Sequence, residues 1–228
     1  MTQYSQFQSV RFWVVSAWLP EQQFLRNKLA SSMDESFKNE DICAVDDVGF
    51  LCTGVGSVRA AACVAHVIAL SAQKSVAPEA VIFVGTAGCY SEQVALNSSH
   101  YCSEVYWSDG DLAEARSYLP DAGNGSLKLS CEPSLFSEVG LVAVSSPGIT
   151  THEGLAHSLS HFGQLENLEL FGVAQAARLA AVSWGAVLGV SNRVGTHSHK
   201  EWRENHLQAS LSAQKMLFDG FLKGRLNL

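Results

Sequence analysis

Residues 165–195, LENLELFGVAQAARLAAVSWGAVLGVSNRVG, decide the fold. Ala176 to Val182 reads as a helix of small residues, and Gly185 to Val190 as a buried strand of branched and small apolar residues. A helix so rich in alanine is expected to lie close against a sheet. The stretch is therefore one helix-to-strand unit of an α/β protein. It also carries two polar groups where such a unit should have none. Glu169 stands at the helix entry and Asn192 just past the carboxyl end of the strand. Those are the edges at which open α/β sheets place their ligands.

Working outward, Leu141 to Ser145 is a strand, Pro147 to Thr150 a loop and Glu153 to His161 a short helix. Ala80 to Val84 (AVIFV) is a fully buried strand, and Gly85-Thr86-Ala87-Gly88 after it reads as a turn. Small residues there either serve the turn alone or admit a ligand to the exposed main-chain N–H donors. Tyr101 to Trp107 is a further strand leading to Asp109-Gly110-Asp111, and residues Leu112 to Val139, with Pro120, Pro133 and the turn signal Asn124-Gly125, form a loop-rich excursion.

Towards the N-terminus, Arg11 to Ala17 is a strand, and Pro20 suits a first helical turn that contains Glu21 and runs on through Phe24, Leu25 and Leu29. Glu21 is either a site carboxylate or one favoured by the positive end of the helix dipole. Ile42 to Ala44 and Gly49 to Cys52 form a strand pair, and Thr53-Gly54-Val55-Gly56 leads into a helix from Val58 to about Leu70. This is not a dinucleotide fingerprint, because Arg59 stands where a third glycine is needed. After the opening stretch, Lys200 to Phe221 has the spacing of an amphipathic packing helix. His197 and His199 precede it without a third ligand, so they read as a solvated loop, and no metal or cofactor is implied.

The 228 residues are 47% apolar and 16% charged, which suits one domain over residues 1–228, with 1–9 a frayed polar tail. A net charge of −7 without a long basic run argues against nucleic-acid and membrane partners. The N-terminal MTQYSQFQSVR lacks a secretory pattern, and no apolar run nears the ~20 residues that span a bilayer, so a cytoplasmic location is expected. The six cysteines, Cys43, Cys52, Cys63, Cys89, Cys102 and Cys131, have no C-x-x-C spacing and read as reduced core residues.

Strands alternating with helices give a three-layer α/β sandwich around a central mixed sheet. Polar candidates collect at four strand ends: Glu21, the Gly85 to Gly88 segment, Glu169 and Asn192. In this order, SAWLPEQQFL, TGVGSVRAAA, VGTAG, YWSDGD, ENLELFGVA and GVSNRVG resemble the nucleoside phosphorylase and nucleosidase superfamily over nearly the whole chain. Its hydrolytic members include methylthioadenosine/S-adenosylhomocysteine nucleosidase and futalosine hydrolase. The resemblance implies that Glu21 activates the attacking water, Glu169 holds the ribose hydroxyls and Asn192 faces N7 of a purine. Thr86, Ala87 and Gly88 fall beside the substrate, Ile149 and Thr150 where the family touches the base, and Leu168 where a methionine commonly lies against the ribose.

Departures from the family refine the expectation. Phe83 occupies the place of an arginine that grips phosphate in the phosphorylases, which points to water as the nucleophile. An asparagine at 192 offers one acceptor and one donor, matching N7–H and the 6-oxo group of a departing hypoxanthine, whereas the adenine-cleaving members carry aspartate. The resemblance thus leans to futalosine hydrolase and menaquinone biosynthesis, with a methylthioadenosine/S-adenosylhomocysteine nucleosidase or a non-catalytic nucleoside-binding homologue as the alternatives. Leu188 replaces an arginine that the family sets near the carboxylates. A carboxyphenyl substituent would call for a cation or donor, for which Arg193, His197, His199, Lys200 and Arg203 are candidates. A homo-oligomer, dimer or larger, is implied as well.

Overall fold

Short runs of branched and aromatic residues build the centre of the molecule. The computed structural model describes residues 10–29, 41–72, 77–120 and 126–226. The 1–9 tail and the Asn124-Gly125 turn signal lie outside them. Strands β1 (Phe12–Ser16), β2 (Ile42–Val45), β3 (Val48–Cys52), β4 (Ala80–Cys89), β5 (Ser99–Cys102), β6 (Glu104–Trp107), β7 (Leu127–Ser130), β8 (Val142–Ser145), β9 (Leu165–Glu166) and β10 (Ser183–Arg193) form one mixed ten-stranded sheet. Helices α1 (Gln23–Leu29), α2 (Ser57–Ala72), α3 (Gly110–Ala113), α4 (Glu153–Ser160), α5 (Leu170–Leu179) and α6 (Ser198–Leu217) surround it.

Alternation of side chains across the sheet makes two cores. On one face Trp13, Val15, Phe83 and Leu188 pack under Val64, Val67, Val173 and Ala177 of α2 and α5. On the other, Phe12, Val14, Ile82 and Val187 meet Leu25, Ala213 and Leu217 of α1 and α6. These are the three layers anticipated from the sequence. Close approach at the layer contacts depends on glycine. A Cβ at Gly172 would lie 2.0 Å from the Ser57 carbonyl oxygen, and one at Gly189 2.0 Å from that of Ala209.

The central strand corrects one expectation. Gly85 to Gly88 is not a turn; β4 continues through it, because β10 pairs in parallel with β4 from Ala80 to Cys89. The other edge of β4 is only partly covered. β1 pairs with it from Ala80 to Phe83, and β9 pairs with Gly88 and Cys89, so among the described residues Val84 to Ala87 have no strand neighbour on that side. That gap positions the site.

Other boundaries shift for reasons the sequence hides. Tyr101 to Trp107 is two strands, since the ladder changes partners at Ser103: β5 pairs with β10, and β6 with β7 and β8. The excursion from Leu112 to Val139 contains β7 and is thus partly sheet. Helix α5 starts at Leu170 and stops at Leu179, earlier than the alanine run suggests. Ala181 takes φ +55°, with Ala181 N–H donating to Arg178 O and Val182 N–H to Ala177 O. This closure normally advertises itself with glycine. The strand after it reaches Arg193, so Asn192 lies within β10 rather than beyond it.

All six cysteines are free. No helix among the described residues is long and apolar enough to cross a membrane.

Candidate active site

A cavity of about 630 Å³ opens at the carboxyl edge of β1, β3, β4 and β10, a volume typical of small-ligand sites. Glu21, Thr86, Ala87, Ile149, Leu168, Glu169 and Asn192 line it, as do Trp18, Arg59, Glu166, Asn167, Ser191, Ser198, His199 and Trp202. Two candidates do not. Gly88 lies behind the wall, where a Cβ would come within 2.9 Å of Asn192 Nδ2; its small size seats the asparagine instead of admitting a ligand. Thr150 is buried and gives its N–H to Glu166 Oε2 at 3.2 Å.

Glu21 is held by the gap in β4. Pro20 starts a 3-10 turn over Leu19–Gln22 just after β1, which swings Glu21 over the uncovered edge. There Thr86 N–H, which has no strand to pair with, donates to Glu21 Oε1 at 3.0 Å, and the Thr86 hydroxyl donates to the same oxygen at 3.1 Å. Trp18 N–H donates to Oε2 at 3.2 Å. The turn cannot drift, since the Gln22 amide reaches the carbonyl of Leu51 at 2.6 Å and Gln214 of α6 ties to Pro20 O and Phe24 N–H. Burial, followed by the charge of Glu169, raises the Glu21 pKa to about 7, the donors from Thr86 and Trp18 opposing the rise. It titrates where a general base at neutral pH needs to.

Glu169 precedes α5 and faces the same space. Gly56 N–H donates to its Oε1 at 2.8 Å, and the Asn167 amide to its Oε2 at 3.1 Å. Gly56 has φ +101°, so only glycine turns that N–H towards the carboxylate without strain. Burial pushes the Glu169 carboxyl up. Asn167 is the hub: its Oδ1 accepts from Glu169 N–H and Leu170 N–H, capping α5, and its Nδ2 also lies 3.1 Å from Thr86 O. Sequence reasoning passed over it, although an asparagine just before a helix is a capping signal.

Asn192 is aimed by a bulge. Val190 pairs with Ala87 and Asn192 with Gly88, leaving Ser191 as the extra residue. The extra residue turns Asn192 to the sheet face opposite that of Val190, as bulges do. The Ser191 hydroxyl lies 2.8 Å from Asn192 Oδ1, and Asn192 Nδ2 donates to Arg193 O at 2.9 Å.

Several functional expectations move. Leu188 is fully buried in the core and is absent from the cavity wall. Phe83 is likewise fully buried. Of the five candidates for a charged substituent, only His199 lines the cavity, in the first turn of α6 rather than in a solvated loop. Arg193 is spent on the loop after β4, donating to the carbonyls of Ser91 and Val94. Glu166 and the aromatic pair Trp18 and Trp202 were not anticipated; Trp202 stacks on His199 and His206 beside the cavity.

No protein-family model matches the chain, and no curated protein matches it in sequence. Solved structures do match in fold. The 5'-methylthioadenosine/S-adenosylhomocysteine nucleosidase of Helicobacter pylori superposes with a TM-score of 0.76 at 12% identity, over 94% of this chain and 98% of that one. The futalosine hydrolase of Helicobacter pylori gives 0.76 at 11% identity, over 94% and 98%. The S-adenosylhomocysteine nucleosidase of Streptococcus pyogenes gives 0.76 at 16% identity, over 95% and 97%. The chain has the α/β fold of the nucleosidases, along its described length and theirs.

Proposed function

We propose that the cavity hydrolyses the N-glycosidic bond of a purine nucleoside. Breaking that bond leaves positive charge on the sugar and negative charge on the departing base, so groups must act at both ends. The observation that carries the reading is the arrangement at the β4 gap: Glu21, near-neutral in pKa, beside a second buried carboxylate at Glu169. In this reading Glu21 takes the proton of the attacking water. Glu169 holds the ribose 2′ and 3′ hydroxyls and steadies the cationic sugar. Thr86 and Ala87 floor the site, Leu168 packs on the ribose, and Ile149 contacts the base. Asn192 meets N7 as the base leaves.

A 6-oxopurine nucleoside of the futalosine kind is our preferred substrate, on the donor-and-acceptor character of Asn192. Equal TM-scores to a methylthioadenosine/S-adenosylhomocysteine nucleosidase and a futalosine hydrolase keep the adenine nucleoside as the second reading. Among the described residues that line the cavity Arg59 is the single Lys or Arg side chain, which supports water over phosphate as nucleophile. We place the enzyme as one domain in the cytoplasm, working as a homo-oligomer.

The test is base release from futalosine and from methylthioadenosine, each with and without phosphate. Hypoxanthine from futalosine, independent of phosphate, is the expected outcome. Adenine release alone would retain the hydrolase and overturn the base assignment. Release from neither, with binding retained, would favour a non-catalytic nucleoside-binding protein.

A further inference from the structure

Helix α6 places a buried glutamine against the segment that carries Glu21. Gln214 is 2% exposed, and both ends of its amide reach that segment. Its Oε1 accepts from Phe24 N–H at 2.8 Å and from Leu25 N–H at 3.4 Å. Its Nε2 donates to Pro20 O at 3.1 Å and to the Ser210 hydroxyl at 3.0 Å. The reverse orientation of the amide would set NH2 against N–H and oxygen against oxygen, so its partners fix which end is which.

In an uninterrupted α-helix Phe24 N–H would donate to Pro20 O, four residues back. The Gln214 amide bonds to both of those groups and so stands between them. Pro20 O also accepts the shorter-range bond from Gln23 N–H, which closes the 3-10 turn over Leu19–Gln22, and α1 begins only at Gln23. Side chains that insert into the helical ladder in this way bend it. The turn winds with about three residues per turn against about 3.6 in the α form, so relaxing it would rotate successive residues by roughly 20° each. Glu21, the third residue of the turn, would then be carried away from the Thr86 donors, which are fixed in β4. Gln22 anchors the turn to the carbonyls of Val14 and Leu51, but it leaves Pro20 O and Phe24 N–H to Gln214.

Resting on the reading of Glu21 as the base, we infer that Gln214 is a positioning residue: wedged between Pro20 and Phe24, its amide holds Leu19–Gln22 in the 3-10 form that sets the Glu21 carboxylate on its donors at the β4 gap. The other polar groups of the cavity do not depend on it. Glu169 is held by Gly56 and Asn167, and Asn192 by the bulge in β10. Loss of the Gln214 amide should therefore weaken turnover and leave nucleoside binding in place.

The experiment compares the full chain with Gln214→Met, which keeps the volume and removes both hydrogen-bonding ends. The Glu21 carboxyl carbon is titrated by carbon NMR, its signal assigned with Glu21→Gln, and steady-state turnover of futalosine and of methylthioadenosine is measured alongside. In the wild type the midpoint is expected at about pH 7. In Gln214→Met it should move upward, since the Thr86 and Trp18 donors that oppose the effect of burial are lost. Turnover should fall about 10²-fold, the scale of a misplaced catalytic group, with KM within about threefold of wild type. Added to Glu21→Gln, Gln214→Met should cost no further rate, because the two residues act as one unit. An unmoved or lowered midpoint overturns the inference whatever the protein hydrolyses. So does near-normal turnover in Gln214→Met where Glu21→Gln is inactive, or an undiminished further loss in the Glu21→Gln background. A raised midpoint with normal turnover in Glu21→Gln keeps Gln214 as the positioner of Glu21 and removes the base assignment instead. Should Gln214→Met not fold, Gln214→Asn, which keeps the amide but draws it back by one methylene, must show the same upward shift; an unshifted midpoint there refutes the wedge.

Discussion

At the end of the cavity that holds Glu21 and Glu169, every carboxylate oxygen has a donor: Thr86 and Trp18 for one residue, Gly56 and Asn167 for the other. Elsewhere on the wall the pairing is less complete. Among the described residues the hydroxyl of Ser198 is buried without a hydrogen-bond partner, and the amide of Asn192 reaches its own neighbours, Ser191 and Arg193. The first end is preorganised by backbone donors that need not move during a reaction. The second has polar capacity left for a ligand. Buried polar groups are nearly always paired, so an orphan on a cavity wall marks where a partner is to arrive.

The comparison is broken most directly at the preorganised end. Glu21→Gln should lower turnover by about 10³-fold, the scale of a lost general base. Glu169→Gln should cost about 10²-fold through weakened support of the cationic sugar. Both variants should fold at some cost in stability, since glutamine matches the carboxylate in shape and keeps one acceptor oxygen, for Thr86 at position 21 or Gly56 at position 169, while its NH2 meets the second donor. Steady-state rates near wild type in either would remove that residue from the chemistry.

The pH dependence sharpens the same contrast. With its pKa raised to about 7, Glu21 is protonated in the folded protein when it would already be ionised in the unfolded chain, whose value is near 4.5. In that window the native state binds the extra proton, so this group's contribution to stability is full below pH 4.5 and is lost as pH rises through about 7. Activity must run the other way, rising through about pH 7 as the base ionises. Glu21→Gln should therefore flatten the decline in melting temperature between about pH 4.5 and 7. A wild-type decline that survives the substitution would assign it to another group.

At the open end effects should be smaller and should appear as ratios. Asn192→Asp replaces a donor and an acceptor by two acceptors, which suits the N7–H and 6-amino edge of a departing adenine. The inosine-to-adenosine preference should move about tenfold towards adenosine, the scale of one mispaired base contact. An unchanged ratio would separate Asn192 from base choice.

Much of this was legible in the sequence, for a physical reason. Glu21, Glu169 and Asn192 are polar residues at the ends of apolar runs, and strand ends are where an α/β sheet leaves space. What stayed hidden depends on pairing between distant segments. Gly85 to Gly88 looks like a turn until β10 is laid beside it. The bulge that re-aims Asn192 exists only in the register of β10 against β4, so the contact of the Asn192 amide with Gly88 is invisible in the sequence. Thr150 and Glu166 interchange for a similar cause: Glu166 reaches the wall because β9 is two residues long and sits across from Gly88. Helix α5 ends at Ala181 in a conformation that glycine usually announces, which no alanine run reveals. Leu188 shows the converse. The family resemblance sets this position beside the carboxylates, but without a cation the residue packs as core.

Ser198 gives the smallest effect and the cleanest sign. A hydroxyl removed from water without a partner costs about 1–3 kcal/mol, while one newly bonded to a ligand gains about 1 kcal/mol. Ser198→Ala deletes both the cost in the free protein and the gain in the complex. The free variant should melt at or above the wild-type temperature, yet bind nucleoside several-fold more weakly. A purely structural serine would move both readouts down together, and a serine facing no ligand would leave affinity unchanged. Either result would close the open end of the cavity and confine ligand recognition to Asn192 and the carboxylates.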